Sequence, residues 1–141
     1  MAKTPDLYKC GVAAFPVSDM ELQLTSASTD FAGNEEAILF WRRLIGGDST
    51  RPGVELARAV SPVALAERIK SPIFLIAGAS DRRTPIEQTR AMQSALERAG
   101  NRPRMMIKSD EGHGFGNVEN RVEQHSEMLK FFEQHIGSSA R

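Results

Sequence analysis

The feature that most constrains the fold of this chain is a set of three short apolar runs that do not alternate with polar residues. The strongest is residues 73–77, opened by Pro72 and closed by Gly78, and the others are residues 10–15 and Arg104–Lys108. A strand with one face in water alternates apolar and polar residues, whereas a strand covered on both faces does not. Their length and the bracketing proline and glycine favour strand over buried helix. The runs therefore predict three strands covered on both faces.

Helical patterns follow each predicted strand. After the second run, Thr84 reads as a helix cap, Pro85 as the first helical residue and Glu87 as the partner that closes a capping box, with Gly100 ending the helix. The apolar face predicted for this helix comprises Ile86, Met92, Ala95, Leu96 and Ala99. The last helix, from about Glu119, is predicted to bury a stripe comprising Val122, Leu129, Phe132 and Ile136.

The segment between the first two strands is predicted to be helical as well. Asn34 can cap a helix that ends at Gly46 and Gly47, and Pro62 divides residues 54–70 into two short helical pieces. The apolar face of the first of these helices comprises Ile38, Trp41 and Ile45. Strands that alternate with helices imply crossover connections. We therefore predict an α/β fold with a short parallel sheet of about three strands and flanking helices.

Composition excludes several classes of protein. The 141 residues carry 18 basic and 18 acidic side chains, so the chain lacks the basic excess expected of a nucleic-acid-binding protein. The single cysteine, Cys10, permits no internal disulfide and no zinc finger, and it favours a reducing compartment. No apolar run is long enough to span a bilayer, and residues 1–6 lack the apolar part of a signal peptide. We therefore expect a soluble, cytoplasmic protein with no nucleic-acid or membrane partner.

Two loops carry the chemical signal. Asp81 lies in the loop after the second strand, and His113 lies between two glycines in the loop after the third. In open parallel sheets, reactive residues gather at the carboxyl ends of the strands, so neighbouring strands would bring these two side chains to one rim. A carboxylate beside an imidazole fixes its tautomer and stabilises the imidazolium. The alternative is a turn-stabilising aspartate and a surface histidine.

The same loops resemble a known family. The segments SPIFLIAGASDRRTP (71–85) and DEGHGF (110–115) look like the acid and histidine loops of the prolyl oligopeptidase family of α/β-hydrolase serine peptidases. Shorter segments at 8–12, 59–62 and 119–121 also fit that family. The resemblance implies that residues 4–136 correspond to the C-terminal part of the catalytic domain, followed by a flexible tail at 137–141. It also implies that Asp81 is the acid and His113 the general base of a Ser-His-Asp triad. We expect no cofactor and no metal.

The third member of such a triad is missing from this sequence. None of its serines lies in a Gly-x-Ser-x-Gly elbow, which the family places before the strand that begins this chain. Without a nucleophile there is no acyl-enzyme route, so we expect the chain alone to be inactive. The first strand would also have an unpaired edge. That edge predicts a homo-oligomer or a complex with the complementary N-terminal half, which would complete a site for a peptide or acyl substrate.

Two other functions remain open at this stage: an esterase-type α/β-hydrolase fragment, since one triad serves both chemistries, and a non-catalytic association module. Asp19, just after the first strand, is the rival for the acid. Arg82 and Arg83 could orient a substrate carboxylate or pair with Asp110 or Glu111. His125 and His135 lack the spacing of a metal site and read as surface residues of the last helix.

Overall fold

The computed structural model describes residues 1–30, 32–44 and 51–137, without the side chains of residues 51 and 52. Its centre is a three-stranded parallel sheet of β1 (Gly11–Ala14), β2 (Ile73–Gly78) and β3 (Arg104–Lys108) in the order β1-β2-β3. The register pairs Val12 with Phe74 and Ile76 with Met106. The predicted parallel α/β fold is therefore confirmed, with strand ends within one residue of the predicted runs.

Helices account for most of the remaining chain. Between β1 and β2 lie α1 (Met20–Thr25), α2 (Glu35–Leu44), α3 (Arg51–Val60) and a 3₁₀ segment (Pro62–Arg68). The helix α4 (Ile86–Arg98) connects β2 to β3, and α5 (Val118–Ile136) follows β3. The break at Pro62 and the Asn34 cap, whose Oδ1 accepts from the N–H of Ala37 at 3.0 Å, are as predicted. The predicted end of α2 at Ile45 to Gly47 and the tail after Gly137 lie outside the described residues.

The sheet is covered on both faces, because successive side chains of a strand point to opposite sides. On one face, Ile73 and Leu75 pack against α4 and the 3₁₀ segment through Met92, Leu96 and Ala66. On the other face, Phe74, Ile76 and Met106 pack against Phe115 and, from α5, Phe131. All six residues of β2 are buried, which explains why the central run shows no alternation.

The buried face of α5 differs from the prediction. Phe131 is buried, whereas Val122, Leu129 and Ile136 are each more than half exposed, as is Val118. Phe131 faces the sheet together with the partly buried Met128 and Phe132, whereas Glu123 and Glu127 lie on the side of β3 and form ion pairs with Lys108 and Arg104. Of the predicted stripe, only Phe132 therefore packs on the core of the described chain.

Candidate active site

The loop after β2 places Asp81 where both of its carboxylate oxygens are fully used. Oδ1 accepts hydrogen bonds from the backbone N–H groups of Arg83 at 2.8 Å and Thr84 at 2.9 Å. Oδ2 accepts from the Thr84 hydroxyl at 2.8 Å and lies 2.9 Å from Nδ1 of His113. The Asp81 side chain is 1% exposed, whereas that of His113 is 39% exposed. The two residues singled out by sequence thus meet at one rim of the sheet, the acid buried and the imidazole open to solvent.

The electrostatics of this pair favour an ionised acid. Burial alone would raise the pKa of Asp81, but the hydrogen bonds from Thr84, His113 and Arg83 outweigh it and lower the pKa. An ionised carboxylate accepts only, so Nδ1 of His113 carries the proton of their hydrogen bond. Nε2, the other ring nitrogen, has no hydrogen-bond partner among the residues that the structure describes. This tautomer leaves Nε2 with a free lone pair that can accept a proton.

The close approach of the two loops depends on Gly78. A Cβ at this position would lie 2.3 Å from the carbonyl oxygen of Glu111 and 2.4 Å from that of Gly112, so only glycine fits without movement. Backbone hydrogen bonds then join the loops: the N–H of Ser80 donates to the Glu111 carbonyl at 2.9 Å, and that of Ala79 donates to Lys108 at 2.8 Å. The loop that contains His113 is therefore attached to the end of β2 by backbone hydrogen bonds.

The histidine loop is closed by Glu111, a residue for which the sequence analysis assigned no role in the site. Its buried carboxylate accepts from the N–H groups of Gly116 at 2.7 Å and Asn117 at 3.0 Å, and from the Asn120 amide at 2.7 Å. The Asn120 hydrogen bond and these two N–H groups lower the pKa of Glu111, although burial opposes them. Glu111 thereby ties the loop that holds His113 to the start of α5. The sequence feature that could have indicated this role is an acidic residue three positions before Gly114, whose φ is +87°.

Thr84 has a different role from the one predicted. Helix α4 begins after Pro85 without a side-chain cap hydrogen bond, so the predicted capping box with Glu87 is wrong. The Thr84 hydroxyl is instead directed at Asp81 and also lies 3.2 Å from Nδ1 of His113. The physical reason is that α4 begins one residue later than predicted, at Ile86, and that the Thr84 hydroxyl donates its proton to the buried Asp81 carboxylate, a strong charged acceptor. The sequence feature that could have indicated this role of Thr84 is Asp81, three residues earlier.

The remaining candidates lie elsewhere. Asp19 caps α1, accepting from the Leu22 N–H at 3.0 Å, and the carboxylate that accepts from Nδ1 of His113 is that of Asp81. Arg83 pairs with Asp30 at 3.3 Å, so of the two uses considered for this arginine the pairing with Asp110 or Glu111 is not the one formed. Burial raises the pKa of the Cys10 thiol.

The two other histidines belong to α5, as expected. Nδ1 of His125 lies 2.7 Å from the Arg121 carbonyl, and the ring of His135 packs 4.6 Å from that of Phe131. Within residues 1–30, 32–44 and 51–137, no cluster of three or more His, Cys, Asp or Glu side chains could hold a metal ion. In the same part of the chain, no helix is both long enough and apolar enough to cross a membrane.

Known proteins share this sequence pattern and fold. The prolyl oligopeptidase family model, Peptidase_S9, matches residues 1–139. The chain is 27% identical over 139 residues to dipeptidyl peptidase family member 6 of Caenorhabditis elegans, covering 98% of this chain and 18% of that protein. It is 26% identical over 137 residues to dipeptidyl aminopeptidase BIII of Pseudoxanthomonas mexicana, covering 97% of this chain and 19% of that protein.

Solved structures are similar over nearly the whole chain. An acylaminoacyl peptidase of Pyrococcus horikoshii superposes with a TM-score of 0.82 at 23% identity, covering 98% of this chain and 22% of that one. A puromycin hydrolase superposes with a TM-score of 0.80 at 29% identity, covering 94% of this chain and 19% of that one. The chain thus spans about a fifth of the length of the proteins it matches.

Proposed function

Because this chain belongs to the prolyl oligopeptidase family, we propose that it supplies the acid and the base of a serine-peptidase-type hydrolase. Asp81 is the acid and His113 the general base. The observation that carries the proposal is the 2.9 Å contact between the buried Oδ2 of Asp81 and Nδ1 of His113 at the carboxyl ends of β2 and β3. Residues 4–136 are then one part of an α/β-hydrolase catalytic domain.

The chemistry follows from the free Nε2 of His113. A serine hydroxyl placed beside it gives its proton to Nε2 as the oxygen attacks a carbonyl carbon, and Asp81 stabilises the imidazolium that forms. The imidazolium then gives the proton to the leaving amine, and a water molecule hydrolyses the acyl-enzyme in the same way. We propose peptide or aminoacyl amide bonds as substrates, since the similar proteins are named as dipeptidyl and acylaminoacyl peptidases and a puromycin hydrolase.

The serine must come from outside these 141 residues, because none of their serines has a Gly-x-Ser-x-Gly context. The isolated chain is therefore expected to show no serine-peptidase turnover. Loss of a triad member costs about 10⁴-fold or more in rate. A fluorophosphonate probe, which labels activated serines, should leave the chain unmodified. Stoichiometric labelling at one serine would contradict the assignment.

The base can be tested without a nucleophile, because an exposed imidazole itself attacks an activated ester such as p-nitrophenyl acetate. The rate of ester cleavage by the chain should fall sharply in His113→Gln and measurably in Asp81→Asn. The matched control is His125→Gln, since the Nδ1 of that exposed histidine lies beside a backbone carbonyl rather than a carboxylate. Equal losses in the two histidine variants would refute a special role for His113.

A second proposal concerns the edge of β1. This strand pairs with β2 on one side, and no described strand pairs with its other side. The ion pairs of Glu123 and Glu127 with β3 fix one flank of α5, so the opposite flank, with the exposed Val122 and Leu129, lies on the β1 side. We propose that a complementary segment of α/β-hydrolase fold, carrying the serine, adds a strand to β1 and covers this flank.

Without that segment, the same surface should drive association of the chain with itself. Light scattering over a range of concentrations should show association that Leu129→Asp weakens. Gln134→Asp, an exposed change elsewhere on α5, is the control and should have no effect. A monomer at every concentration would argue against this surface. The single cysteine leads us to propose a reducing compartment such as the cytoplasm, which cell fractionation would test.

If the proposed substrate class is wrong, the competing activity is ester hydrolysis. Adding the complementary segment and comparing a peptide amide with the corresponding ester would separate the two. Preference for the amide supports the peptidase proposal, whereas ester-only activity favours the esterase. An assembled complex that binds but cleaves neither favours a non-catalytic association module.

A further inference from the structure

Phe15, the first residue after β1, has an unusual backbone conformation. Its φ is +52°, and it is the one non-glycine residue with a positive φ in the described part of the chain. Side chains disfavour this left-handed region, so a residue stays there only when its surroundings hold it. One such contact is the hydrogen bond that the Phe15 N–H donates to the Ile76 carbonyl at 2.8 Å.

The positive φ changes the face of the sheet on which the phenyl ring lies. Val12 packs on the face covered by α5, and Ala13 packs on the face covered by α4. The two-residue period of a strand would place residue 15 on the same face as Ala13. Phe15 instead packs with the cluster on the α5 face. The strained backbone therefore has a specific result, which is to bring the ring to the opposite side.

On that side the ring lies between the core and the imidazole. Its centroid is 5.4 Å from that of His113, with the two planes tilted by 54°. It is also 5.4 Å from the ring of Phe115 in an edge-to-face arrangement, and Phe115 is buried. Phe115 thus fixes the position of Phe15, and Phe15 in turn contacts His113.

We propose that Phe15 is a positioning residue for His113, an inference that rests on the proposed function. The bond to Cβ and the hydrogen bond from Nδ1 to Asp81 hold the imidazole, but the ring is free to rotate about the Cβ–Cγ bond whenever that hydrogen bond opens. Contact with a second ring removes that freedom and keeps water from the Asp81–His113 hydrogen bond, which is stronger in a less polar environment. Phe15 thereby keeps the proton on Nδ1 and Nε2 directed outward.

The experiment is nitrogen-15 NMR of the histidine side chains in the 141-residue chain, which needs no substrate and no serine. Three variants separate the ring from the backbone. Phe15→Ala removes the ring and keeps a side chain at positive φ, Phe15→Gly removes the ring and relieves the backbone, and Phe15→Tyr keeps an aromatic ring. If the alanine variant does not fold, the glycine variant still reports on the ring, because glycine tolerates positive φ.

The parent chain and Phe15→Tyr should show His113 in a single Nδ1–H tautomer with a slowly exchanging Nδ1 proton. In Phe15→Ala and Phe15→Gly, exchange of that proton with water should accelerate by about tenfold, with both tautomers populated. His125 is the internal reference and should not change. A Phe15→Gly spectrum in which His113 is unchanged overturns this inference alone. Mixed tautomers in the parent chain overturn it together with the Asp81–His113 pair.

Discussion

Replacing Thr84 by valine removes one hydroxyl from the site and keeps the shape of the side chain. That hydroxyl is one of four donors to Asp81, at 2.8 Å from Oδ2, and the carboxylate is buried. A hydrogen bond to a charged group contributes about 1.5–3 kcal/mol, and three donors remain, so the lower figure applies. Thr84→Val should therefore reduce the free energy of unfolding by about 1.5 kcal/mol at pH 7, roughly tenfold in the unfolding constant.

The pH dependence of this loss identifies its cause. The pKa of Asp81 is lower in the folded chain than its unfolded value of about 3.9, so its stabilisation is complete well above that value. It is lost as the pH falls through the folded pKa, where the carboxyl becomes protonated. Thr84→Val raises the folded pKa, so the difference between variant and parent should be present at pH 7 and shrink as the solution is acidified.

The measurement is urea unfolding at several pH values below 7, with the Asp81 carboxyl followed by carbon-13 NMR. Thr84→Ser is the matched control, because it keeps the hydroxyl and loses one methyl group, which costs about 0.8 kcal/mol by burial alone at any pH. The reasoning is refuted if Thr84→Val unfolds at the same urea concentration as the parent. It is also refuted if the loss is equal at every pH or the serine variant shows the same pH dependence.

Three further changes test two supports of the site and the end of α4. Gly78→Ala brings a Cβ to 2.3 Å from a carbonyl oxygen and should lower the free energy of unfolding by about 1–3 kcal/mol. The control Gly116→Ala, whose new Cβ has its nearest atom at 3.7 Å, should lower it far less, and equal losses would contradict the close-approach argument. Glu111→Gln leaves a single acceptor oxygen for three donors, so the amide protons of Gly116 and Asn117 should exchange with water faster, as measured by NMR, while those of α4 do not. Unchanged exchange would argue against the role of Glu111 as the anchor of the loop. Gly100→Ala should lower stability by about 1 kcal/mol in thermal unfolding through backbone strain alone, because φ is +78° and no atom lies within 4 Å of the new Cβ; no loss would contradict this.

Local sequence patterns were sufficient for the strands and for most helix boundaries. The run at β2 is buried on both faces, so its residues could be nothing but apolar, and the flanking Pro72 and Gly78 mark its ends. Pro62 interrupts a helical pattern and Asn34 caps α2 through residues adjacent in the chain, so both effects can be predicted from sequence alone. The two loops with Asp81 and His113 could be singled out because parallel strands end on the same side.

The errors share one physical cause, which is that a local pattern offers more than one arrangement and only the folded chain selects between them. Thr84 has the sequence context of a helix cap, yet the Asp81 carboxylate accepts its hydroxyl. The stripe on α5 has the correct spacing for burial, yet the face that packs on the sheet is that of Phe131, Met128 and Phe132, and most of the stripe is exposed. Periodicity reports which residues share a face but not which face another element covers.

By itself, the sequence determined the strands and the helices around them except α1, the parallel sheet and the family, because burial on both faces and the two loop motifs are written in contiguous residues. Only the tertiary structure decided that Thr84 and Glu111 serve the site, and that Phe15 turns its ring across the sheet to reach His113. The contact of Phe15 with His113 joins the ends of β1 and β3, which only the pairing of the three strands brings together. The partners of Thr84 and Glu111 are close in the chain, but several conformations of a loop are possible in sequence, and the packing of the two loops around His113 selects one of them.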